Sequence, residues 1–122
     1  MNDTIHDWKS VKNAEDLARM ARKSLIDSKA IDVVLYDVRG LSSITDYVLL
    51  ASGMAPPHLK ALVGGIEAQC KTVGIHSYRQ SGKPDDGWIV LDYVDVVIHV
   101  MLKEMREYYD LEGLWGTYPQ LA

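Results

Sequence analysis

Hydrophobic and polar residues recur along this chain with two different periods, and the switches between them mark out its elements. Ala14, Leu17, Ala18, Ala21 and Leu25 repeat at helical spacing, with Arg19, Arg22 and Lys23 on other faces. Asn13 suits a helix N-cap, and Glu15 and Asp16 stand where a helix start favours negative charge. A helix is therefore predicted from Ala14 to about Ser28. Ile31 to Asp37 reads as a mostly apolar strand closed by Arg39-Gly40, and Leu41 to Thr45 as a connection with hydroxyls to cap a turn. Tyr47 to Ala51 is apolar without alternation, the pattern of a strand buried on both faces. Ser52 to Pro57 breaks that strand and opens a second helix, proline being tolerated in a first turn. Leu59, Leu62, Val63, Ile66, Cys70 and Val73 mark its buried stripe, and Gly74 ends it. Gly64-Gly65 inside this helix costs about 1 kcal/mol each relative to alanine. Close packing against a neighbouring backbone would account for the pair, and so would plain tolerance.

Ile75 to Tyr78 reads as a short third strand. After the turn-like Gly82 to Gly87 come two runs rich in β-branched and aromatic residues, Trp88 to Tyr93 and Asp95 to Met101. With Tyr93-Val94 as a two-residue turn, Asp92 would face Asp95, Val90 would face Val97, and Trp88 would face His99. Period-two alternation gives this hairpin one uniformly apolar face: Ile89, Leu91, Val96, Ile98 and Val100. The other carries Trp88, Val90, Asp92, Asp95, Val97 and His99, an aromatic and apolar strip ending in acids. Because the aliphatic face is the one fit for a core, Trp88 is expected to be exposed. Lys103 to Tyr109 reads as a last short helix, after which Leu111, Leu114 and Trp115 fold a tail back onto the body. Helix, two strands, helix, three strands and helix give an α/β fold, a single-domain α-β sandwich with a mixed β-sheet and flanking helices. Residues 1–12 are expected to be a flexible leader, 13–116 the domain and 117–122 a C-terminal tail.

At 122 residues, about half of them hydrophobic, one domain with one core is the simplest organisation. The net charge of -4 gives no general attraction to nucleic acid, and neither helix has a basic face with interleaved aromatics. Binding to DNA is not expected, and direct contact with RNA is not expected to dominate. The sign is compatible with a basic partner. The single cysteine, Cys70, excludes an intrachain disulfide and fits a reducing compartment. No apolar stretch approaches the ~18 residues of a membrane span, and no secretory layout opens the sequence. A cytoplasmic protein without membrane association is the expectation.

Candidate chemistry is sparse. Asp92 and Asp95 could form a metal-binding or acid/base pair, or could be solvated turn acids that meet a basic partner. Gly53 lies between strand and helix, where backbone amides can hold a phosphate, but no phosphate-loop pattern follows. His6, His58, His76 and His99 lack metal-ligand spacing, and His99 opposite Trp88 is either a stabilising stack or part of a site. Cys70 falls on a buried stripe. An exposed Trp among apolar neighbours with a charged edge has the makeup of a protein-binding hot spot.

Three stretches make a more specific statement: Leu41 to Tyr47 (LSSITDY), Trp88 to Val100 (WIVLDYVDVVIHV) and Arg106 to Trp115 (REYYDLEGLW). In these the chain resembles the Iojap-like ribosomal silencing factors, the RsfS family, from about Ala14 to Trp115. Gly53 and His58 also sit where that family has a Gly-x-Ser-x-x-His turn. The resemblance implies a nucleotidyltransferase-like topology without the paired-acid catalytic signature. It further implies a non-enzymatic factor, with no cofactor, that represses translation when nutrients are scarce. Such a factor binds the large ribosomal subunit through its universal protein uL-fourteen and blocks joining of the small subunit. Free members of the family are homodimers. Trp88 carries over to the family's binding surface, and Asp92, Tyr93 and Asp95 match its motif; with Val90, Val97 and His99 they form the expected partner-binding set. The competing reading is a nucleotidyltransferase-like or phosphate-binding enzyme using Gly53, Asp92 and Asp95. Three departures stand out. Val94 replaces the usual Gly and should resist positive φ, distorting the turn or changing its type. Ala55-Pro56-Pro57 replaces the usual Ser and following basic residue, and Gln80-Ser81-Gly82 replaces a Val-Glu-Gly pattern.

Overall fold

The computed structural model describes residues 12–122. In chain order the elements are α1 (Ala14–Asp27), β1 (Ile31–Asp37), β2 (Tyr47–Gly53), α2 (Pro56–Thr72), β3 (Arg79–Ser81), a 3-10 turn (Pro84–Asp86), β4 (Trp88–Asp92), β5 (Val96–Leu102), α3 (Lys103–Tyr109) and α4 (Leu111–Trp115). The five strands form one mixed sheet in the order β1-β2-β5-β4-β3. Only the β2–β5 pair is parallel, and α2 lies in the crossover between them.

Local chemistry sets most boundaries. The Asn13 side chain accepts the Asp16 N–H at 2.9 Å and starts α1 as expected. α2 begins on Pro56-Pro57, with Ala55 at its N-cap in extended backbone and no side-chain cap. Gly74, at φ 75, carries the chain out of that helix. β2 is buried at all seven positions, as its unbroken apolar run requires. Of the two α2 glycines, a Cβ on Gly65 would stand 3.2 Å from Ser24 Oγ, so this one lets α1 approach closely. A Cβ on Gly64 would meet nothing within 4 Å, so there tolerance suffices.

Side-chain alternation sorts the sheet into two faces. One buries Leu49, Ala51, Ile89, Leu91, Ile98 and Val100 under α1 and α2. The other buries Tyr36, Val48, Leu50 and Met101 beneath Leu111, Met105, Trp115 and Tyr118 of the C-terminal segment. That second cover reaches β4 at Trp88 and leaves Val90 and Asp92 half-buried. Two expectations need correction. The third strand is Arg79–Ser81, exposed at all three positions, and not Ile75 to Tyr78. It is defined by pairing with β4, which sequence periodicity cannot report. Leu114 is 62 % exposed and takes no part in the C-terminal fold-back, which Leu111 and Trp115 make.

Candidate functional site: a docking face on the hairpin

The hairpin forms with its faces as expected but in a different register. Trp88 pairs with Met101, Val90 with His99 and Asp92 with Val97. The loop is Val94-Asp95, not Tyr93-Val94, so Asp92 does not face Asp95 and Trp88 is not directly opposite His99. Because the slip is two residues, every strand side chain keeps its predicted face. Three contacts select this register. Asp92 Oδ1 accepts the Val94 N–H at 2.7 Å, Tyr93 N–H donates to the Val96 carbonyl at 2.8 Å, and Asp95 N–H to the Tyr93 carbonyl at 2.9 Å. Val94 takes φ 73 despite its branched Cβ. The departure from glycine thus leaves a positive-φ turn in place and strains it. The Asp95 carbonyl accepts the N–H groups of Asp46 and Tyr47 at 3.1 and 3.0 Å, tying the tip to the start of β2.

Trp88, Val90, Asp92, Val97 and His99 are brought together on the face away from α1 and α2, each half-buried; Asp95 is exposed at the tip. Tyr93 does not join them. It is 7 % exposed and packs on the helical side with Cys70 and Val96. Burial raises its hydroxyl pKa, and burial likewise pushes the Cys70 thiol up, with the Tyr93 contact partly opposing. Its odd position in the alternation, with Ile89 and Leu91, was the signal for this. Trp88 is also less open than expected. Its ring lies 5.2 Å from that of Tyr109, and its Nε1–H donates to His99 Nδ1 at 3.1 Å. The diagonal between neighbouring rungs makes this bond possible. His99 in turn sits 5.0 Å from the Trp115 ring. Burial pushes the His99 pKa down to about 4, so the imidazole is neutral at pH 7 and can accept the indole proton. The result is a run of tilted ring contacts from Tyr109 through Trp88 and His99 to Trp115, in which His99 holds the indole N–H.

Beside it lies a cleft of about 200 Å³ between the Ser42–Thr45 loop and the sheet, walled by Ile44, Val48, Val97, Trp115 and Tyr118. Ile44, at its rim, is 83 % exposed. Ser42 Oγ accepts the Ile44 N–H at 3.1 Å, the turn-capping role foreseen for that hydroxyl. Sequence patterns gave no reason to group Ile44, Tyr109, Trp115 or Tyr118 with the hairpin, since four different segments deliver them. Among the described residues, no ion pair within 4 Å involves Asp46, Asp92 or Asp95.

The enzyme constellation does not assemble. Gly53 pairs with Leu102 and Asp92 with Val97, five residues apart on β5, or about 17 Å at the rise of a strand. Gly53 is buried, and a Cβ there would collide with Leu59 Cδ2 at 2.6 Å, so the glycine serves helix packing. His58 bridges this region, its Nδ1 accepting the Met54 N–H at 2.9 Å and its Nε2 lying 2.9 Å from the Ser28 carbonyl. Among the described residues, no three His, Cys, Asp or Glu side chains are grouped to hold a metal ion.

Comparison with known proteins follows the same line. The family model described as "Ribosomal silencing factor during starvation" matches residues 11–122. The chain belongs to the RsfS family. It is 34 % identical over 100 residues to ribosomal silencing factor RsfS of Haemophilus influenzae, covering 82 % of this chain and 98 % of that one. It is 35 % identical over 94 residues to the mouse protein named "Mitochondrial assembly of ribosomal large subunit protein 1", covering 75 % of this chain and 41 % of that one. A crystal structure of a Chromobacterium violaceum protein superposes with a TM-score of 0.80 at 32 % identity, over 85 % of this chain and 87 % of that one. The α/β sandwich with its mixed sheet is therefore the fold of this family, and no described helix is long and apolar enough to cross a membrane.

Proposed function

We propose that this RsfS-family chain acts in the cytoplasm as a steric block. It binds the large ribosomal subunit through uL-fourteen and keeps the small subunit from joining, lowering translation when nutrients are limiting. The observation that carries the reading is the less covered half of the second sheet face, where an indole held by His99 and an apolar floor stand beside carboxylates that make no ion pair among the described residues. Trp88 supplies the anchor, and Val90 and Val97 supply the floor. His99 holds the indole from behind. Asp92 and Asp95 orient a basic surface, which favours rapid, correctly registered encounter. Tyr93 contributes from the core, by holding the hairpin tip. No catalysis and no cofactor enter this mechanism, and the free chain pairs as a homodimer. The mouse relative's name, with its large ribosomal subunit, supports the choice of particle.

The test is sedimentation of the purified chain with separated ribosomal subunits. The parent should follow the large subunit, and added purified uL-fourteen should compete it off the particle. Trp88→Ala should lose about 2 kcal/mol of binding, some 30-fold, as hot-spot truncation does. A Trp88→Ala chain that sediments like the parent would remove the anchor from this proposal.

A further inference from the structure

Residues 117–122, set apart by the sequence as a tail, are built into the molecule. Pro119 to Leu121 lie antiparallel along the free edge of β1. The Asp37 N–H donates to the Pro119 carbonyl at 2.8 Å, the Leu121 N–H donates to the Leu35 carbonyl at 2.9 Å, and Gln120 pairs opposite Tyr36. From α1, Arg19 Nη1 and Arg22 Nη2 donate to the main-chain oxygen of Ala122 at 2.7 and 2.8 Å, and Arg22 Nη1 to that of Leu121 at 3.0 Å. Hydrogen bonds from a charged donor are roughly twice as strong as neutral ones, so two guanidinium groups make a firm clip. At the other end of the segment the Tyr118 N–H donates to the Trp115 carbonyl at 2.9 Å. Trp115 lies on His99, which accepts the Trp88 N–H. Trp115 and Tyr118 are also walls of the cleft beside Val97.

We propose that residues 117–122 are a positioning strap for the docking face, and that Arg19 and Arg22 are its clip. The clip acts from the helical side of the sheet on a surface it does not touch. The proposal rests on the reading of that face given above. Its physical content is an element with two arrangements, docked on β1 or released, whose docked form holds Trp115 and Tyr118 where a partner meets them. Release would also bare the unpaired edge of β1.

Two variants of the full chain test it, the double substitution Arg19→Gln with Arg22→Gln, and a chain ended after Gly116. Two readouts are taken, hydrogen exchange and sedimentation with large ribosomal subunits. In the double variant the Asp37 and Leu121 amides should exchange faster while those of the β4–β5 ladder do not change. Binding should fall about fivefold or more, the scale of a modest coupling between sites. A synthetic peptide of residues 117–122 should restore binding to the shortened chain. If Asp37 and Leu121 stay as protected as in the parent, the arginines are not the clip. If those amides are released and the double variant still sediments like the parent, the strap does not position the face, and the proposal fails by itself. A parent that does not sediment with large subunits overturns the docking reading first, and the positioning role with it.

Discussion

Val94 offers the most direct measure of stored strain in this molecule. Its φ of 73 puts a β-branched residue in the left-handed region, where an L side chain crowds its own backbone. The conformation costs on the order of 2 kcal/mol for a non-glycine residue. Glycine there relieves the strain but adds freedom to the unfolded chain, returning about 0.7 kcal/mol. The Val94 side chain is 54 % exposed, so deleting it forfeits only about 0.5 kcal/mol of apolar burial. Val94→Gly should therefore stabilise the fold by about 1 kcal/mol, a rise of roughly 3–5 °C in Tm for a domain this size. Thermal unfolding followed by circular dichroism, with urea titration at unchanged m-value, reads the effect. Val94→Ala, which keeps a Cβ at positive φ, should recover less than half of it. A Val94→Gly chain that melts at or below the parent temperature would show that the turn bears no strain. The Asp92 carboxylate and Tyr93 carbonyl would then be fixing an unstrained loop.

Further outcomes follow from other parts of the structure. Arg106 is 5 % exposed, donating through Nε to Glu112 at 2.6 Å and through Nη1 to the buried Ser52 Oγ at 3.0 Å. Arg106→Met should cost about 2–3 kcal/mol in urea unfolding, because charged hydrogen bonds are lost and Ser52 is left unpaired. His99 holds a pKa of about 4 against an ordinary value of 6.5, so between these values the unfolded chain binds the extra proton. Stability should fall as pH drops from about 6.5 to 4, by roughly 3 kcal/mol in total, and level off below. In His99→Asn, which keeps an acceptor for the indole but does not titrate, chemical denaturation across that window should show this component gone. Ala55 occupies the N-cap of α2 in extended backbone without a side-chain acceptor. Ala55→Ser should add about 1 kcal/mol by accepting a free amide of the first turn, seen as a higher urea midpoint.

How much of this was legible beforehand depends on the range over which each feature is decided. The first two helices, the first two strands and the sorting of the hairpin into an aliphatic and an aromatic face follow from patterns a few residues long. Period and capping act locally. Tyr93, expected in the turn, continues that alternation with Ile89 and Leu91 and lies in the core. Motif resemblance grouped it with the docking residues instead, because a motif records neighbours in sequence and not the side of the strand.

Tertiary structure decided the rest. The hairpin register depends on Asp92 reaching the Val94 N–H and on the Asp95 carbonyl meeting β2, and two-residue slips leave the face pattern unchanged. The third strand exists because β4 offers it a partner. Trp88 lost part of its exposure to Tyr109 through α3 folding back over the sheet, and its N–H to His99 through the register of the two strands. The strap closes between residues about a hundred positions apart, Arg19 with Ala122 and Arg22 with Leu121 and Ala122, where no local pattern reaches. Composition and periodicity act through each residue's own backbone and solvent preference. Register, burial of the indole and the clip on the last residues depend on which distant groups the packed sheet brings within hydrogen-bonding range.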